Sequence, residues 1–88
     1  MIQCEVTIRN RAGLHTRPAA SLVKTAAKFK ADFFIDKEGF EINGKSIIGV
    51  MTLAAEQGSK LTLRFSGEDE AEACRALSEL FERGFDEP

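Results

Sequence analysis

Apolar and polar residues alternate from the first positions of the chain. Ile2, Cys4, Val6 and Ile8 stand against Gln3, Glu5, Thr7 and Arg9, a period of two that describes a strand over about 2–8 with one buried face. A loop from Asn10 to Leu14, containing Gly13, follows. Ala19, Leu22, Val23 and Ala26 then recur at i, i+3, i+4 and i+7, the stripe of an amphipathic helix. Thr16 is placed to cap that helix, and Pro18 falls in its first turn, where a missing N–H does no harm. Alternation resumes through Asp32–Asp36 and Phe40–Ile42 around a turn at Lys37 to Gly39, so residues 31–43 read as a hairpin. Phe34 is the misfit, since it lies opposite to Phe33 and Ile35.

Asn43-Gly44 breaks the ladder, and Ser46 is a candidate N-cap for a short helix from Ile47 to about Leu53. Val50, Leu53 and Ala54 are expected to face the core, which leaves Ile47, Ile48 and Met51 on another, wetter side. Lys60 to Ser66 forms a further strand with Leu61, Leu63 and Phe65 on one face. Ser66-Gly67-Glu68-Asp69 resembles a capping box, ahead of a last helix with the stripe Ala71, Cys74, Leu77, Leu80 and Phe81, ended by Gly84. Four one-sided strands and three amphipathic helices in the order βαββαβα predict an α+β open-faced two-layer sandwich. Its four-stranded sheet is mainly antiparallel and carries all helices on one face.

Length and charge narrow the possibilities. Eighty-eight residues hold one domain, because domains need roughly 50 to 200 residues. A net charge of -2 provides no global positive field for nucleic acid or an acidic membrane. No run approaches the roughly 18 apolar residues of a membrane span, and no basic segment followed by an apolar run marks a signal peptide. A cytoplasmic location is expected. Cys4 and Cys74 each fall on an apolar face, which fits small buried hydrophobes better than a disulfide or metal pair.

The only histidine, His15, sits where a loop meets a helix N-terminus. There the first amides are unpaired and carry partial positive charge, a natural anion site. Arg17 adds a guanidinium able to hold two phosphate oxygens. An imidazole with a free ring nitrogen is a nucleophile, so the arrangement describes a phosphoryl acceptor beside its own phosphate cradle. A polar loop residue and a solvated helix charge are the plain alternative. Gly39-Phe40-Glu41-Ile42-Asn43-Gly44-Lys45-Ser46 matches G-x-x-x-x-G-K-[ST] letter for letter. Phe40 and Ile42 nevertheless alternate like a strand where a nucleotide loop must wrap, and no parallel sheet is available to carry one. Ser46 is either a cap alone or a cap that is also a phosphorylation target. Ile47, Ile48 and Met51 are either partly buried filler or a docking patch. Glu68, Asp69, Glu70 and Glu72 favour the helix start rather than acid–base catalysis.

Two runs, Gly13-Leu14-His15-Thr16-Arg17-Pro18-Ala19-Ala20 and Lys45-Ser46-Ile47-Ile48-Gly49-Val50-Met51, resemble the phosphorylation-site and serine-site motifs of the HPr family, the histidine phosphocarrier proteins of the bacterial phosphoenolpyruvate-dependent phosphotransferase system. The likeness covers essentially the whole chain. It implies that His15 takes phosphate on Nδ1 from Enzyme I and passes it to a histidine of an Enzyme IIA component. Thr16 and Arg17 would supply backbone amides, and Arg17 also its side chain as a clamp. By the same resemblance Ser46 matches the position modified by HPr kinase/phosphorylase, and Ala20, Lys24, Ala27, Ile47, Ile48 and Met51 match the partner surface. Ala12 stands where members often carry a polar residue, and Lys45 to Ala55 also resembles the nitrogen-related branch. The implied protein is a monomeric stoichiometric carrier without cofactor or metal, rather than an enzyme. The rival is a regulatory binding module controlled through Ser46, with transfer at His15 secondary.

Overall fold

A computed structural model describes residues 1–88 of the protein. The elements are β1 (Ile2–Thr7), α1 (Thr16–Ala26), β2 (Asp32–Lys37), β3 (Phe40–Asn43), α2 (Ile47–Thr52), β4 (Lys60–Ser66) and α3 (Glu70–Glu82), in the expected βαββαβα order. The sheet runs β1-β4-β2-β3 with every neighbouring pair antiparallel. Period-two alternation fixes the register: Cys4 and Ile35 both face Leu63, while Ile2 and Phe33 both face Phe65. One face is therefore apolar throughout and the three helices cover it. Phe33 and Phe65 stack with ring centroids 4.6 Å apart, and Leu22, Val50, Leu77 and Phe81 complete the buried layer. Phe34 projects from the opposite face and is exposed, as its phase requires.

The hairpin turn is tighter than the sequence suggests. Lys37 still pairs with Phe40, and only Glu38 and Gly39 turn, both with positive φ. That is the twist-matched conformation of a two-residue loop, and Asp36 Oδ1 holds it by accepting from the Gly39 amide at 2.9 Å.

Four local expectations are corrected. Thr16 is the first helical residue of α1, so the cap position belongs to His15. Ser66 does not cap α3. Asp69 occupies the cap position without bonding its own helix, because its carboxylate accepts from the Lys30 and Ala31 amides at 2.9 Å each. The inward stripe of α3 uses Ala73 and leaves Ala71 exposed. After α2 the chain turns through a positive φ at Ala54, which resets the phase so that Ala55 is buried and Ala54 exposed.

The nucleotide-loop match is a coincidence of letters. Phe40–Asn43 are strand, and a Cβ on Gly44 would lie 2.3 Å from the Phe33 ring, so that glycine serves core packing. The Lys45 ammonium is spent on the Phe29 carbonyl at 2.6 Å.

Candidate functional site

The loop that delivers His15 is shaped by contacts far apart in sequence. Gly13 has φ +74, and a Cβ there would stand 2.4 Å from the Ala55 carbonyl oxygen. Only glycine permits that approach without strain. Leu14 then donates to the Ala55 carbonyl at 3.0 Å, and His15 donates its amide to Gly13 O at 3.0 Å. Asn10, 1% exposed, braces the loop from beneath by donating from Nδ2 to the Gly13 carbonyl at 2.8 Å. The backbone of His15 is thereby fixed while its imidazole stays exposed.

His15 occupies the cap of α1 in an extended conformation (φ -82, ψ -171), and its imidazole makes no capping bond. A serine or aspartate at this place would cover the second or third amide of the helix with its own oxygen. Here the third helical residue is Pro18, which has no N–H, and neither Thr16 nor Arg17 donates to a carbonyl of the chain. Two adjacent amides at the positive end of α1 therefore face solvent beside the ring, where they can receive an anion. The Arg17 side chain is 89% exposed, with Nε 3.6 Å from Glu87 Oε2, a pair weak enough to yield to an arriving phosphate.

One wall of the cavity lies outside the patterning. Phe85 follows Gly84 with φ +58, is buried, and meets Phe81 edge-on at 4.9 Å. The chain then runs back so that Pro88 accepts from the Arg11 amide at 2.8 Å. Asp86, Glu87 and Pro88 line a cavity together with Ala12, His15, Thr16, Arg17 and Pro18. An apolar residue directly after a helix-ending glycine was the available signal. Asn10 and Ala55 gave none, because their roles are long-range.

A second depression, lined by Leu14, His15, Met51 and Ala55 among others, joins the imidazole to α2. Ala20, Lys24 and Ala27 on α1, and Ile47, Ile48 and Met51 on α2, are all exposed; Ile48 is 75% accessible. Ser46 caps α2, its Oγ accepting from the Gly49 amide at 3.1 Å. His15 thus lines two depressions, one shared with Arg17 and the other with Met51, and Ser46 stands at the opposite end of α2 from Met51. No cluster of three or more His, Cys, Asp or Glu side chains is placed to hold a metal, and no helix is long and apolar enough to cross a membrane.

An exposed imidazole before two unpaired helix amides is an anion-receiving position, and comparison with known proteins gives the class, the phosphocarriers. Residues 2–83 match the family model described as the PTS HPr component phosphorylation site. The phosphocarrier protein HPr of Xylella fastidiosa is 49% identical over 99% of this chain and 98% of its own. The HPr-like protein Crh of Bacillus subtilis is 45% identical over 89% of this chain and 92% of its own. Among solved structures, HPr-C-His from Thermoanaerobacter tengcongensis superposes with a TM-score of 0.96 at 42% identity, covering 100% of this chain and 99% of that one. The chain belongs to the HPr family of phosphotransferase-system phosphocarriers.

Proposed function

We propose that this protein accepts a phosphoryl group on His15 from Enzyme I and passes it to a histidine of an Enzyme IIA component. The observation that carries the reading is the uncapped N-terminus of α1: an exposed imidazole beside the unpaired amides of Thr16 and Arg17. In the transfer the Nδ1 lone pair of His15 attacks phosphorus, the bond between phosphorus and its donor atom on Enzyme I breaks with the electron pair leaving on that atom, and the oxygens settle on the two amides and the Arg17 guanidinium. The same contacts stabilise the carried group without making it inert, so the chain acts stoichiometrically between its partners. The exposed side chains of Ala20, Lys24, Ala27, Ile47, Ile48 and Met51 form the docking surface for both, reached from His15 through the depression it shares with Met51. The carrier works as a cytoplasmic monomer with no cofactor and no nucleic-acid partner.

Incubation with Enzyme I and phosphoenolpyruvate should give one acid-labile, alkali-stable phosphate per chain that is absent from His15→Ala. Arg17→Glu should slow transfer more than Arg17→Ala, because reversed charge repels the phosphate as well as removing the clamp. Label persisting in His15→Ala overturns the reading.

Ser46 supports a second role. Its hydroxyl stands at the start of α2 beside exposed Ile47 and Ile48, so a phosphate there places charge against the docking patch and weakens docking. HPr kinase/phosphorylase is the proposed modifier, and absence of serine label relative to a Ser46→Ala control would remove this role.

A further inference from the structure

The chain has two cysteines, 70 positions apart. Cys4 lies on β1 and Cys74 on α3, at the seam where the first strand packs under the last helix. Both are free thiols and both are half-buried. Their Sγ atoms stand 2.7 Å apart, within about 0.7 Å of the roughly 2.0 Å of a disulfide bond. Ser78, one turn along α3, places its Oγ 3.3 Å from Cys4 Sγ. No third ligating side chain accompanies the thiols, so the pair is not a metal site.

We propose that the β1–α3 seam is a redox-modification site, at which Cys4 and Cys74 close to an intramolecular disulfide by exchange with a low-molecular-weight disulfide of the oxidised-glutathione type. One protein thiol loses its proton to solvent and attacks a sulfur of the small disulfide, breaking that bond and releasing one small thiolate. The second protein thiol, deprotonated in turn, attacks the mixed disulfide, forms the Cys4–Cys74 bond and releases the other small thiolate. Two protein thiols are oxidised and one small disulfide is reduced to two thiols.

A groove at the same seam gives a small reagent an approach past Ser78, whose Oγ meets Cys4 Sγ. Its charges are mixed, Glu5, Glu79 and Glu82 against Arg9 and Arg75, so the reagent is selected by size rather than by charge. Burial, and then the neighbouring Cys74 thiol, push Cys4 up to about 11. Attack by Cys4 at neutral pH is therefore slow. Once closed, the bond joins residues 70 positions apart, and a crosslink closing so long a loop strongly restricts the unfolded ensemble.

The test uses the full chain, reduced and then held with excess oxidised glutathione at mildly alkaline pH. Expected are loss of both titratable thiols, a mass lower by two hydrogens with no glutathione adduct, and a Tm higher by on the order of 10 °C that dithiothreitol reverses. Cys4→Ser and Cys74→Ser should each accumulate the mixed disulfide and show no such rise. Two persistent thiols, a stable adduct on the natural sequence, a chain-to-chain disulfide, or a Tm rise surviving in either variant overturns the proposal. None of these readouts involves phosphoryl transfer.

Discussion

Gly13 fixes where His15 stands. Its left-handed φ and the 2.4 Å that would separate a Cβ from the Ala55 oxygen mean that Gly13→Ala must either strain the loop or push it off Ala55. The expected cost is about 1–3 kcal/mol, read as a lower urea midpoint. Phosphoryl acceptance should slow as well, because the Gly13 carbonyl holds both the His15 amide and Asn10. His15 and Arg17 were legible in the sequence because their pairing is local: a lone histidine, a basic neighbour and a helix start within a few positions. Their supports were not. Asn10 is a polar residue in a loop until the fold buries it, and Ala55 acts through a carbonyl, which no side-chain pattern reveals. Misplacing the cap on Thr16 had a physical origin too: threonine caps helices more readily than histidine does, and the site depends on that preference going unmet.

Among the elements, α2 shows how short helices depend on their ends. Six residues with three exposed apolar side chains bury too little to hold a helix by packing alone. Its cap therefore carries unusual weight. Ser46→Ala should cost about 1 kcal/mol and speed amide exchange at Gly49, whose N–H donates to Ser46 Oγ; unchanged exchange would mean the segment is held by Val50 instead. The wet face of α2 could be read from sequence, since six residues cannot hide Ile47, Ile48, Met51 and Val50 together. The reset at Ala54 could not, because nothing in alanine announces a positive φ. Alternation located every strand, β4 to the residue, where Leu61, Leu63 and Phe65 are all buried; β3 buries no residue fully and was found through the hairpin turn that joins it to β2.

For the molecule as a whole, Asp69 ties the start of β2 to the start of α3. The Lys30 amide, and with it the Ala31 amide, holds its carboxyl below the usual carboxylate range. A depressed folded-state value contributes stability that is complete above the unfolded value of about 4 and is lost as pH falls through the folded one. Glu70, bonded to the Gly67 amide, acts in the same direction. Tm should thus fall on acidification below about pH 4. Asp69→Ala should lower Tm by several degrees at neutral pH and flatten that acid limb, and an unaltered limb would assign the acid sensitivity elsewhere. Sheet order was beyond periodicity, which gives each strand a face but no neighbour. The same gap hid the meeting of Cys4 with Cys74, where two apolar-face cysteines read as separate small hydrophobes.

The interleaving of the sheet also has a meaning in time. β1 cannot pair until β4 exists, the loop before α1 needs Ala55, and one side of the cavity around His15 is built from residues 86–88. A nascent chain therefore exposes its imidazole early in synthesis, well before residues 86–88 emerge to complete the cavity around it.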